Sequence, residues 1–161
     1  MNLQQVRVRQ NYWAILVAAI ASFVFEAIWY SIFLKVWLSG TGRTMEWLAG
    51  TGMSPWVQYG TALVCAAVMA AAISCVTQLT GEQTAMRGIK VGLLLWLGFV
   101  VTTWATEYVF EVRPLSLFGI NAGFWLLGMM MMGAIVGGWK KKGTAVDASS
   151  QTDKKVEPVH S

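Results

Sequence analysis

Four long apolar stretches dominate this 161-residue chain, and one carboxylate, Glu26, sits inside the first of them. Between Arg9 and Lys35, Glu26 is the only charged residue. Glu46 and Glu82 bracket 35 uncharged residues, and Arg113 and Lys140 bracket 26 more. The remaining run, Val91 to Thr106, is shorter and ends at Glu107. A helix needs roughly 20 apolar residues to cross about 30 Å of hydrocarbon, so each stretch is long enough or nearly so. The pattern predicts an all-α polytopic membrane protein. Its domain is a four-transmembrane-helix bundle over 1–139, with helices at about 12–34, 55–79, 88–110 and 115–139, followed by a basic, disordered cytoplasmic tail over 140–161.

Composition excludes the obvious alternatives. Only 12% of residues are charged, against about 25% in ordinary soluble domains. A soluble fold would have to expose large apolar patches, which soluble monomers rarely do. The net charge of +4 borders the apolar runs: Arg7 and Arg9 precede the first, and Lys140, Lys141 and Lys142 follow the last. That placement points to topology and anionic lipid headgroups rather than nucleic acid, for which no recognition element accompanies the charge. Cys65 and Cys75 are ten residues apart in one run, about 15 Å of helical rise, beyond the reach of a disulfide. There is no CxxC, and the single histidine, His160, lies in the tail, so no metal site or cofactor is implied. Arg7, Arg9 and Ala19-Ile20-Ala21 resemble parts of a signal peptide, but the apolar run continues to Leu34, longer than an h-region of about 7–15 residues. It reads as a retained span.

The first helix has Asn11 as its N-cap and closes at Lys35. Ala14, Ala18, Ser22, Glu26 and Tyr30 fall at i+4 steps and share a face, opposite Leu16, Ile20, Val24 and Ile28. A glycine-rich loop follows, with a short MEWLA segment at the interface. Pro55 suits the first turn of the second helix. Small-xxx-small spacings recur at Ala67-Ala71-Cys75, Gly88-Gly92, Gly119-Gly123 and Gly133-Gly137, candidate faces for close helix packing within the subunit or in a homo-oligomer. Four helices put both termini and the second loop on one side, with nine Lys and Arg against three on the other. The positive-inside bias therefore predicts cytoplasmic termini, in a bacterial inner membrane.

An ionised carboxylate near mid-span costs at least about 2.5–3.5 kcal/mol, so Glu26 must face protein or water, or stay protonated. Two readings are open. Glu26, with Ser22 and Tyr30, forms a proton or cation site facing the threonines of helix three; or it makes a structural hydrogen bond to Ser22, a threonine or Asn121. Glu107 and Glu111, one turn apart before Arg113, read as a cation site or as a solvated edge paired with Arg113, with Asn121 within reach. No HExxH, GxSxG or Walker sequence is present, and nothing supplies a nucleophile–base pair, so no enzyme is expected. The function reads as an accessory or structural membrane component, alone or with a membrane partner protein. The alternative is a small proton- or cation-linked transporter or channel built on Glu26.

Several segments together resemble the DUF1761 family of small bacterial membrane proteins: NYWAILVAAI (11–20), IWYS (28–31), GLLLWLGFVVTT (92–103) and RPLSLFGINAGFWLLGMMMMGAIVGGW (113–139). They cover parts of every helix but the second. The resemblance implies a four-span domain and no established activity. It also implies a departure, since the family pattern carries a small residue such as glycine where Glu26 stands and often a histidine near Trp125.

Overall fold

The computed structural model describes residues 8–50 and 54–140. Those residues form helices and turns only, and four of the helical segments are long and apolar enough to cross a membrane. Helix α1 runs Tyr12–Ile32, with Asn11 accepting from the Ala14 N–H at its start. Helix α2 (Leu34–Thr41) follows after a break at Phe33, and α3 (Met45–Ala49) is the MEWLA segment. Helix α4 spans Pro55–Leu79 with proline in its first turn. The third apolar segment is α5 (Ala85–Leu95), a π-helical stretch (Trp96–Val101) and α6 (Thr102–Phe110). Helix α7 covers Leu115–Gly138. The tail lies outside the described residues apart from Lys140.

Two boundaries differ from the sequence reading. Residues 34–41, read as a helix end and loop, make the separate helix α2, closed by Gly42 in the left-handed conformation (φ 65°), which glycine adopts without steric cost. Arg43 then lies over the Trp47 ring at 4.0 Å, tying α2 to α3. The third span begins at Ala85 rather than 88, because Thr84 caps it through the Arg87 N–H at 3.2 Å.

Helix α7 is the centre of the bundle: α1, α4, α5 and α6 all pack against it. Half of its apolar window is buried, more than in any other span. The core gathers Ala14 and Ala18 from α1, Ala70 and Ile73 from α4, Val91 from α5, and Met129, Met132 and Val136 from α7. Leu16, Ile20, Val24 and Ile28 stay exposed on the outer side of α1, a surface a lipid phase would accept.

At one end of the bundle the packing is backbone to backbone. A Cβ placed on Gly88 would overlap the Gly133 carbonyl oxygen and sit 2.6 Å from its carbon, and one on Gly133 would meet the Gly88 carbonyl in the same way. Gly92 lies as closely against the Met129 carbonyl, and Gly137 against that of Thr84. Gly119 and Gly123 behave differently. Nothing lies within 4 Å of a Cβ on Gly119, and Gly123 faces only the Trp29 ring at 3.3 Å. Gly119 is therefore no packing residue in the subunit; it is exposed on α7, between buried Leu117 and Ile120.

Candidate functional site

The i+4 face of α1 divides in two. Ala14, Ala18 and Ser22 are buried against the core, and a Cβ on Gly128 would lie 3.7 Å from the Ser22 hydroxyl. One turn on, the face splays. Tyr30 leans toward α7, where its hydroxyl donates to Asn121 Oδ1 at 2.8 Å. The Asn121 amide in turn donates to the Tyr108 hydroxyl of α6 at 2.6 Å. Three helices are thus clasped by one chain of hydrogen bonds, and both ends of the Asn121 amide are engaged. Asn121 and Tyr108 are buried, where an unpaired polar group would be costly.

Aromatic rings surround this clasp. Phe124, almost fully buried, stacks on Phe25 with centroids 5.7 Å apart and tilts against Tyr30 at 5.5 Å. Two indoles fasten neighbouring helices to α7 carbonyls: Trp29 donates to Ile120 at 3.1 Å and Trp96 to Ala122 at 2.9 Å. Arg113 lies 5.5 Å from the Tyr108 ring centre and pairs with Glu111 beside it.

Glu26 stands apart from the clasp. It is half-buried and lines a cleft of about 270 Å³ between α1 and α4, with Phe23, Tyr30, Gln58 and Tyr59 among its neighbours. Its carboxyl group has no hydrogen-bond or ion-pair partner among the described residues. Of the predicted site residues the structure therefore joins Tyr30 with Asn121, places Ser22 in the core next to Gly128, and leaves Glu26 on a separate cleft. Glu107 is exposed and belongs to neither; Glu111, its neighbour one turn on, forms the ion pair with Arg113. The threonines of helix three do not face Glu26. Thr102, Thr103 and Thr106 are exposed, and Thr102 and Thr106 bond to carbonyls of their own helix.

Tyr108 is the site residue that sequence reasoning missed, and the π-helical stretch explains why. A regular helix keeping Gly88 and Gly92 on α7 would bring round Phe99, Thr103, Thr106 and Phe110 at later turns. The wider π turn takes up an extra residue, so Val100, Trp104 and Tyr108 turn inward instead. The available signal was the Trp104–Tyr108 pair at i+4, whose rings stack 5.9 Å apart.

Among the described residues no group of three or more His, Cys, Asp or Glu side chains is close enough to hold a metal ion. Cys65 and Cys75 are free thiols.

These features define a class: an all-helical protein of four apolar spans, three of them packed around the last, with a polar clasp and a carboxylate cleft in the same half. The family can also be stated. The chain belongs to DUF1761, described as a protein of unknown function, whose sequence model matches residues 13–137. Neither a curated protein nor a solved structure matches it.

Proposed function

We propose that this chain is a four-span integral protein of the bacterial cytoplasmic membrane, with both termini cytoplasmic, serving as an accessory or structural membrane component and not as an enzyme. The observation that carries this reading is the mutual engagement of the buried polar side chains at the centre of the bundle. Tyr30, Asn121 and Tyr108 complete a closed set, and buried Thr77 donates to its own helix at the Ile73 carbonyl, 2.7 Å away. A solute path would need polar groups free to exchange partners with water.

The orientation rests on charge. Arg9, Arg87, Lys90 and Lys140 lie at the end of the bundle where α1 and α5 begin, and Lys35, Arg43 and Arg113 at the other. Adding Arg7 and the tail lysines 141, 142, 154 and 155 makes it nine against three. Lys140 also lines, with Trp13 and Trp139, a groove of about 980 Å³, a combination suited to an anionic lipid headgroup at the membrane surface. Reporter fusions after Lys142 and within 40–54 should give cytoplasmic and periplasmic signals respectively; a periplasmic signal from the tail fusion refutes the orientation.

A second reading, a small proton- or cation-linked transporter or channel, is favoured by one observation, the cleft at Glu26. Cysteine at Ser22, in a background lacking Cys65 and Cys75, separates the two. Ser22 is 2% exposed, so the accessory reading expects resistance to aqueous thiol reagents. Ready labelling in membranes would overturn it in favour of a hydrated path.

A further inference from the structure

We propose that the cleft between α1 and α4 binds an alkylammonium group, with the Glu26 carboxylate as counter-ion and the rings of Phe23, Tyr30 and Tyr59 around the cation. Three observations converge on this chemistry. The cleft is a space of about 270 Å³ whose only charged lining residue, among the described ones, is Glu26. That carboxyl group has no hydrogen-bond or ion-pair partner among the described residues, in a position where an uncompensated charge is expensive. Aromatic side chains from both helices converge there, with Phe23 and Tyr59 meeting edge to face, centroids 5.9 Å apart.

Aromatic rings beside a carboxylate favour a soft organic cation, because the ring faces attract positive charge and accept alkyl groups. A hard metal ion would require six or more oxygen ligands, and the cleft offers one carboxylate in largely apolar walls. A bare proton would need neither the volume nor the rings. The volume falls just below the usual range of small-molecule pockets, roughly 300–1,000 Å³, which limits the guest to a small head with short arms. Glu26 is six residues from the end of α1, about 9 Å of rise, within reach of the headgroup layer. The ammonium therefore has two sources, the amine of a membrane lipid or a free organic cation.

Both can be separated in nanodiscs of phosphatidylglycerol, which contains no amine. Titration with tetraethylammonium, followed by calorimetry and corrected with empty discs, should show one saturable site per chain. Glu26→Gln should weaken it at least tenfold and Tyr59→Leu at least threefold, with helicity and melting temperature unchanged. Absence of a saturable site, or equal affinity in Glu26→Gln, overturns the proposal; if Glu26→Gln folds poorly, equal affinity in Tyr59→Leu does so. Repeating the titration in discs containing phosphatidylethanolamine identifies the source: a raised apparent Kd assigns the cleft to the lipid amine, an unchanged one to a free cation. Neither result depends on whether Ser22 is hydrated, so this test and that of the accessory reading fail independently.

Discussion

Adding one methyl group at Gly133 should be among the costliest conservative changes in the bundle. The new Cβ would overlap the Gly88 carbonyl oxygen, lie 2.6 Å from its carbon and 3.1 Å from the Ile89 nitrogen. Ordinary contact begins at 3.4 Å, so α5 and α7 must separate by at least 3.4 − 2.6 = 0.8 Å. The obstructing atoms are backbone, which cannot swing aside as a side chain can. Overpacking costs about 1–3 kcal/mol, and a backbone clash belongs at the top of that range. Alanine in place of glycine returns about 0.5–1 kcal/mol of helix propensity, leaving a net loss of about 2 kcal/mol. Gly88→Ala, on the other face of the same contact, should lose a similar amount. Because the two share one clash, the double variant should lose less than the sum. Gly119→Ala is the control: nothing meets its Cβ, so it should gain up to about 1 kcal/mol. Unfolding of the purified protein in mixed micelles, followed by circular dichroism over a denaturing-detergent series, gives all four values. If Gly133→Ala matches the wild type, or Gly119→Ala falls with it, the backbone contact between α5 and α7 is not what holds them.

Asn121→Leu should orphan two tyrosine hydroxyls, one on Tyr108 and one on Tyr30. A double-mutant cycle with Tyr108→Phe should return a coupling of about 0.6 kcal/mol, and up to about 1.7, the span measured for hydrogen bonds between membrane helices; zero coupling removes the clasp as a stabilising unit. Val112, in the turn before Pro114, has φ of 53°, a conformation that costs a β-branched residue about 1–3 kcal/mol. Val112→Gly should therefore raise the melting temperature, the released strain exceeding glycine's extra chain entropy of about 0.5–1 kcal/mol; a lowered melting temperature contradicts the strain.

The main frame was legible because bilayer-length apolar runs admit few solutions. Asn11 and Pro55 act locally, and each stands at a helix start. What spacing could not decide was which glycines meet backbone. Gly119-Gly123 and Gly133-Gly137 look alike in sequence, yet only the second pair faces α5 at close range, since the difference is set by where α5 crosses α7. Nor could spacing anticipate the π-helical stretch, which carries the inward face from Gly88 and Gly92 to Tyr108 instead of Thr106. Helix α2 was missed for a related reason. Its Gly40 reads as a breaker, but a Cβ there would sit 3.0 Å from the Leu117 Cβ, so the glycine permits α2 to lie on α7.

The two halves of the bundle are held by different physics, and this accounts for where Glu26 stands. In lipid there is no hydrophobic drive between helices, so association depends on close packing and on hydrogen bonds. The half containing Gly88, Gly92, Gly133 and Gly137 uses close packing, and it excludes even a methyl group. Beyond the π-helical stretch, α6 packs on α7 far less extensively than α5 does, and side chains take over: the Tyr30–Asn121–Tyr108 clasp and the Trp29 and Trp96 anchors. Side-chain contacts leave room between helices that backbone contacts do not, and the cleft between α1 and α4 is part of that room. Two steps back along the same face, Ala18 is fully buried, packed into a core that includes Ala70 and Met129. A carboxylate there would have neither space nor solvent, whereas at position 26 the splayed half supplies an open cleft and aromatic neighbours for whatever neutralises its charge.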